Sequence, residues 1–359
     1  MIRSWIKTRA AGVLSRTGLD KLVGSSGGPL VIGYHRVVED FAASAESSIP
    51  SMLVSRQMLE RHLDWLGRRF RFVSLDELGA RFDGSDGSQG PVAAITFDDG
   101  YRDLYEQAFP LLQKKGIPAA VFVVTDLVST ANVQEHDKLY LLLARRLADR
   151  SLKPGGLAGL LHTLGISVTG IVASTPYQAT RALLEAQPQE RIRSVIAALE
   201  SEVAIPEDTF KPFYSLTWEM LERMQRAGVT IGSHTRTHIV MTQESGERVA
   251  NEVTGSREEI ERRIGTSVRH FAYPSGMFNT ASVNAVAKAG YRFGYTVCGH
   301  RDDAHPQLTV PRTFLWENSS LDFRGAFSGA ILNCQIRRAF DMVSGCRQRH
   351  RIGQESGNV

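Results

Sequence analysis

Cysteine is scarce in this chain of 359 residues: only Cys298, Cys334 and Cys346 occur, all in the last fifth. Three such positions build neither a disulfide framework nor a CxxC zinc site. A surplus of charge is also missing. Lysine plus arginine is 42 against 38 for aspartate plus glutamate, a net +4, which gives no argument for a nucleic-acid partner. Long apolar runs are absent, which excludes a polytopic membrane protein. The first residues, MIRSWIKTRAAGVLSRTGLDKL, are broken by Arg3, Lys7, Arg9 and Arg16 and contain no signal-peptide core. With 42% hydrophobic and 22% charged residues the composition is that of an ordinary globular protein, not of a disordered or collagen-like one. Its length suits two domains, or a single α/β barrel of about 250 residues carrying an insertion.

What is present is a repeating rhythm. Apolar strands are expected at 30–35, 72–75, 92–97, 119–124, 229–233, 270–273 and 292–297, with amphipathic helices between them. Strand–helix alternation implies a mostly parallel sheet, open or closed. The rhythm breaks between residues 129 and 211. That stretch contains expected helices at 139–150 and 189–203. It also contains a run, Pro154 to Thr180, without Asp, Glu, Lys or Arg. This run holds too much glycine and proline for a membrane span. Residues 1–27 form a basic amphipathic segment suited to packing on its own domain or to peripheral contact with an anionic membrane. The C-terminal tail is rich in arginine.

Two short motifs carry the chemistry. Thr96-Phe97-Asp98-Asp99-Gly100 follows one strand. Two adjacent carboxylates at a strand end cannot both be buried unpaired, and a cation resolves the conflict. One carboxylate would bind it while the other stays free as a base. His234-Thr-Arg-Thr-His238 follows another strand, and its i, i+4 spacing puts two imidazoles within reach of one metal. The spacing is that of a zincin helix, but Thr235 stands where the zincin base would be, so the base must come from elsewhere. Two histidines and a carboxylate leave room for water, the pattern of a catalytic site. A third strand ends in Phe271-Ala-Tyr-Pro-Ser-Gly276, a tight turn that can point a backbone N–H into a site.

In this order, TFDDG, HTRTH and a YPxG turn resemble the polysaccharide deacetylases of the NodB-homology group, carbohydrate esterase family 4. The likeness covers roughly residues 28–128 and 212–315. It implies a distorted (β/α) barrel, here of about seven strands, with a largely helical insertion at 129–211 and a C-terminal helix and basic tail at 316–359. It further implies metal-dependent removal of N-acetyl groups from the amino sugars of a glycan. Under it, Asp98 is the expected general base. Asp99, His234 and His238 are the expected ligands of a divalent metal, zinc in the first place, with cobalt, nickel or manganese also suited to such a set. The Ser275 N–H is the expected oxyanion donor. Two departures stand out. The family's arginine partner for the base is replaced by Ala272, and the late Asp-Trp and Leu-x-His motifs are missing. In this the chain is similar to the biofilm poly-N-acetylglucosamine deacetylases, where an early Tyr-His element supplies the acid, and Tyr34-His35-Arg36 fits that arrangement. His35 is therefore the expected general acid, with His300 and His305 as rivals. The expected partner is an N-acetylated glycan of the cell envelope or an exopolysaccharide, and no nucleic acid. The expected location is cytoplasmic or peripheral to the membrane. Two other functions fit the same residues: deformylation or deacetylation of a lipid-linked amino sugar, and a catalytically inactive carbohydrate-binding module.

Overall fold

The computed structural model describes residues 29–82, 90–149, 156–167 and 175–339. The basic N-terminal segment and the arginine-rich tail beyond residue 339 lie outside the described residues.

The sheet is built from β1 (Leu30–Tyr34), β4 (Arg71–Phe72), β5 (Val92–Phe97), β6 (Ala119–Val123), β7 (Thr230–Ser233), β8 (His270–Ala272), β9 (Phe293–Thr296), β10 (Val310–Pro311) and β11 (Thr313–Phe314). Its order is β10-β9-β8-β7-β6-β5-β1-β11, with β4 paired to β5, and every pairing is parallel. Strands β2 (Arg36–Val38) and β3 (Leu53–Ser55) make a separate pair. The expected seven strands are all represented in the main sheet, and the segment added to that sheet is 310–314. Its first half pairs with β9 and its second half with β1, so one short segment joins the two edges and closes the barrel. The residue at the changeover is Arg312, whose N–H donates to the Thr296 carbonyl.

Alternation along the strands sorts the core into two layers. Ile32, Tyr34, Ile95, Phe97, Val121 and Val123 join the large apolar cluster shared with the flanking helices, such as Arg56–Gly67. The alternate residues Val31, Ala94, Ala120, Phe122, Ala272 and Tyr295 form a second cluster, onto which Leu75 and Leu78 of helix Leu75–Phe82 pack. Small residues are required where the backbone crowds. A Cβ at Gly294 would collide with the Leu308 carbonyl, which belongs to the 3-10 turn leading into the closing strand.

The helix expected over 101–115 is interrupted. Leu104–Ala108 forms a π turn and Phe109–Lys115 continues as α-helix, with Pro110 in its first turn. Proline has no N–H to give, so the ladder is already broken there and the wider turn accommodates it. Between β6 and β7 the described residues form helices Glu135–Ala148, Gly156–Thr163, Pro176–Ala186 and Gln189–Glu202. They pack on a core of their own that includes Leu139, Leu143, Leu161, Leu183, Val195 and Leu199. The uncharged run thus contributes apolar faces to a helical cluster. Among the described residues no helix is long and apolar enough to cross a membrane. The side chains of Cys298 and Cys334 are buried.

Gly294→Ala should destabilise the fold by about 1–3 kcal/mol, the usual cost of overpacking. Urea unfolding would check this, and an unchanged midpoint would show that the closing turn can give way.

Candidate active site

Strand register gathers the predicted residues on one rim. Tyr34 pairs with Phe97, so His35 and Asp98 are the next residues on adjacent strands. Val123 pairs with Ser233 and the His234 N–H donates to the Val123 carbonyl, which places His234 beside them. Ser275 follows β8. All stand at C-terminal strand ends, where a barrel of this kind carries its chemistry.

Asp98 and Asp99 are both buried, at 3% and 2% exposure, yet their surroundings are opposite. Asp98 accepts two hydrogen bonds from Arg312, Nη1 to Oδ1 at 2.6 Å and Nη2 to Oδ2 at 2.7 Å. Arg312 Nη1 also donates to Thr96 Oγ1 at 3.2 Å, and its guanidinium packs against the Phe122 and Phe314 rings. Burial pushes the Asp98 carboxyl up, but Arg312 and His234 outweigh it and hold it below its ordinary range. It is therefore ionised at neutral pH.

Neither carboxylate oxygen of Asp99 has a hydrogen-bond partner, although both are buried. His238 Nε2 lies 3.2 Å and His234 Nε2 3.5 Å from Asp99 Oδ1. His234 Nδ1 is 2.8 Å from the Ala272 carbonyl, which can only accept. The proton is thus on Nδ1, and Nε2 presents its lone pair toward Asp99. Burial lowers the His234 pKa to about 4, so the ring is neutral. Burial opposes charge on His238 too, but contact with Asp99 more than offsets it. These three donors form a cluster whose ligand atoms lie within 4.8 Å of one another. Bonds of about 2.0–2.1 Å in a tetrahedron set donor atoms about 3.3 Å apart. The orphaned carboxylate and the observed spacings therefore fit a divalent cation.

The backbone is strained at these points. Among the described residues six non-glycine positions have positive φ, and Asp99, Thr235, His238 and Ser275 are four of them. Such conformations cost about 1–3 kcal/mol each and persist only where the surroundings enforce them. Glu252, from helix Gly246–Ile264, does the enforcing around His238. Its Oε2 accepts from the N–H groups of Arg236 and Thr237 at 2.9 Å each, and its Oε1 from Thr237 Oγ1 at 2.6 Å. Ser275 is exposed, in a left-handed conformation (φ 57°) inside the Pro274–Gly276 turn.

The half-buried His35 has its ring 4.7 Å from that of Phe314 and lies close enough to Asp98 and Asp99 to affect their ionisation. Of its rivals, His300 packs near Phe278, and His305 caps the turn before the closing strand.

Three participants were not anticipated from the sequence. Arg312 takes the role vacated at Ala272. His136 and Asp137 come from the helical segment between β6 and β7. His136 Nε2 is 4.0 Å from Asp99 Oδ2 and 2.9 Å from Tyr101 Oη, while Tyr101 donates to Asp137 Oδ2 at 2.6 Å. Burial lowers the His136 pKa to about 3 and raises that of Asp137 to about 7. Tyr101, next to the DDG motif, gave the one sequence signal of polarity there. The two partners lie in the first turn of helix Glu135–Ala148, ahead of the 139–150 span expected to be helical.

Asp137 makes stability depend on pH. From about pH 4 to about pH 7 the unfolded chain releases this proton while the folded chain keeps it, so stability falls as pH rises. Asp137→Asn should remove that slope, and its melting temperature relative to the parent should climb between about pH 4 and about pH 7. A difference independent of pH would show that Asp137 is ionised in the fold.

Comparison with known proteins bears on the fold and the family. Residues 85–294 match the polysaccharide deacetylase family model. The chain is 20% identical over 251 residues to YxkH of Bacillus subtilis, named as a polysaccharide deacetylase, covering 70% of this chain and 61% of that one. It is 27% identical over 134 residues to the poly-β-1,6-N-acetyl-D-glucosamine N-deacetylase of Staphylococcus epidermidis, covering 35% of this chain and 45% of that one. The match thus spans less than two thirds of either relative. In fold it is similar to the Streptococcus pyogenes deacetylase PplD, with TM-score 0.53 and 16% identity over 82% of this chain and 95% of the other. It is also similar to IcaB from Ammonifex degensii, with TM-score 0.52 and 18% identity over 82% and 94%. A family match over more than half of its length, on a closed parallel barrel, establishes that the chain belongs to the polysaccharide deacetylase family.

Proposed function

We propose that this protein is a metal-dependent N-deacetylase acting on amino sugars of a poly-N-acetylglucosamine-type glycan. The observation that carries the reading is the contrast between the carboxylates. Asp98 is saturated by Arg312, while Asp99 faces His234 and His238 with both oxygens unpartnered. The Staphylococcus epidermidis relative, whose name gives that glycan as its substrate, supports the substrate class.

Asp99, His234 and His238 would hold the cation, zinc being suited to two imidazoles and a carboxylate. When bound it supplies Lewis-acid polarisation of the acetyl carbonyl and makes water a better nucleophile at neutral pH. Asp98 accepts the proton from the attacking water, and Arg312 keeps its two oxygens oriented. The Ser275 N–H, offered by a left-handed turn, donates to the oxyanion that develops on the carbonyl; one such donor is typically worth about 10²–10³ in rate. His35 gives a proton to the sugar nitrogen as the C–N bond breaks, since an amine anion cannot leave. Acetate and a free amino sugar result. An inactive binding module would have no use for an ionised carboxylate locked beside the cation site.

Acetate release and metal content, measured together, test this. Asp98→Asn should keep its metal and lose about 10²–10⁴ in turnover, because an amide cannot take the proton. Asp99→Asn should lose metal. The opposite pattern would reverse the two roles, and a parent protein that releases no acetate from any N-acetylated glycan, soluble or lipid-linked, would overturn the function.

His35→Ala should retain metal and melting temperature, yet lose about 10²–10⁴ on an N-acetyl sugar and much less on an activated ester. Equal losses on both substrates would assign His35 to positioning. Near-normal amide turnover would pass the acid's role to His300 or His305.

A further inference from the structure

Asp99 has two oxygens, and the two imidazoles of the cation site approach the same one. His234 Nε2 and His238 Nε2 lie 3.5 Å and 3.2 Å from Oδ1. Oδ2 is equally buried and has no hydrogen-bond partner. A cation held at Oδ1 would leave Oδ2 stranded among buried side chains, and a buried acceptor left unmatched costs about 1–3 kcal/mol. Carboxylates that ligate metals are for this reason held in turn by hydrogen bonds. The imidazole that approaches Oδ2 is that of His136, with Nε2 at 4.0 Å.

The tautomer of His136 follows from what the ring touches. Tyr101 spends its only proton on Asp137 Oδ2, 2.6 Å away. Toward His136 Nε2, 2.9 Å away, the tyrosine oxygen is therefore an acceptor. Nε2 thus carries the proton, and His136 turns an N–H toward Asp99 where His234 turns a lone pair. A protonated nitrogen is no ligand for a cation but is suited to hold the ligand's other oxygen. One bridging water, or a turn of the carboxylate, spans the 4.0 Å between them. The arrangement is firmly placed. Tyr101, Asp137 and His136 are all buried, and the Arg36 guanidinium lies 5.3 Å from the centre of the Tyr101 ring. The segment between β6 and β7 is tied to the DDG motif at its root: the Leu216 N–H donates to the Gly100 carbonyl at 2.8 Å, and the Ser129 N–H to the Leu216 carbonyl at 3.0 Å.

We infer that His136 is a positioning residue of the cation site: its Nε2–H holds the second oxygen of Asp99 while the first binds the metal, and Tyr101 and Asp137 fix the ring for that task. The inference rests on the cation site of the proposed function and names a group, supplied by the helical segment between β6 and β7, that sets its affinity.

Zinc affinity of the full chain, measured by competition with a chromogenic chelator, tests it. His136→Phe keeps the bulk of the ring without the N–H and should weaken zinc by about 10–100-fold, the usual loss when such an outer partner is removed. His136→Gln, whose amide N–H reaches where Nε2–H does, should bind zinc at close to parental strength. A histidine that only packs would instead lower the metal-free melting temperature and leave zinc affinity unmoved. Parental zinc affinity in His136→Phe, or an equal loss in both variants, would overturn the inference. So would a changed visible spectrum of cobalt-loaded His136→Gln, which would make His136 a ligand. If the phenylalanine variant does not fold, His136→Leu takes its place in the comparison. The expected pattern without acetate release from any glycan would uphold the inference and remove the deacetylase reading, whereas a parent that binds no zinc would overturn both.

Discussion

The structure depends first on the pairing of Arg312 with Asp98. Among the described residues, 310–314 alone pair with both open edges of the sheet, and Arg312 is where they change sides. Its guanidinium is buried against Phe122 and Phe314, among side chains that offer it little polarity. A charge in that position is tolerable only because the Asp98 carboxylate takes both of its outer N–H groups. Removing either partner of such a pair costs about 3–5 kcal/mol, because the other charge remains buried alone. Closure of the barrel therefore brings the proposed base its counterion. An unclosed sheet would leave Asp98 without its counterion, and a protonated Asp98 would leave the closing strand holding an uncompensated cation.

A second constraint acts on the cation site. Two donors come from a loop, and a loop is a poor support for precise geometry. Here the loop is gripped from both sides. Glu252 holds two successive N–H groups and the Thr237 hydroxyl. Gln189, from the helices between β6 and β7, donates to the Thr237 carbonyl at 2.7 Å. These bonds maintain positive φ at Thr235 and His238, which turns two side chains with i, i+4 numbering toward one carboxylate without a helix beneath them. The zincin-like spacing is thus reached by different backbone means.

Much of this was legible in the sequence, for a physical reason. Asp98-Asp99 and His234/His238 are each close in the chain, and both follow apolar runs of the right length, so local pattern and site coincide. Strand ends imply the rim, and the rim implies that the residues meet. Arg312 was not legible because it lies 214 positions from Asp98 and sits in a strand whose halves are two residues each, too short for periodicity to register. Ala272 signalled that a partner was missing without saying where the replacement lay. His136 and Asp137 were hidden differently. They occupy the first turn of a helix that begins at Glu135, four residues before the start expected at 139, so both lay ahead of the apolar pattern. The break at 104–108 follows from Pro110, and just ahead of it Tyr101 meets that helix at Asp137 and Asp103 pairs with Arg36.

The two carboxylates of one dipeptide illustrate how environment assigns roles. They share the same strand end and nearly the same burial. Asp98 lies on the Arg312 side, where its charge is already neutralised and both oxygens are in use. A cation would gain little there. Asp99 is turned by a left-handed backbone toward the imidazoles, and both of its buried oxygens lack a hydrogen-bond partner that a cation there would replace. Exchange of the two roles would require Arg312 to release Asp98 and the strained turn to relax together. Despite their burial, both carboxyls are held below their ordinary range, Asp98 by Arg312 and His234 and Asp99 by His238 and His136, so hydrogen-bond occupancy rather than protonation divides their labour. Here the division is enforced by barrel closure on one side and by the Glu252-held loop on the other.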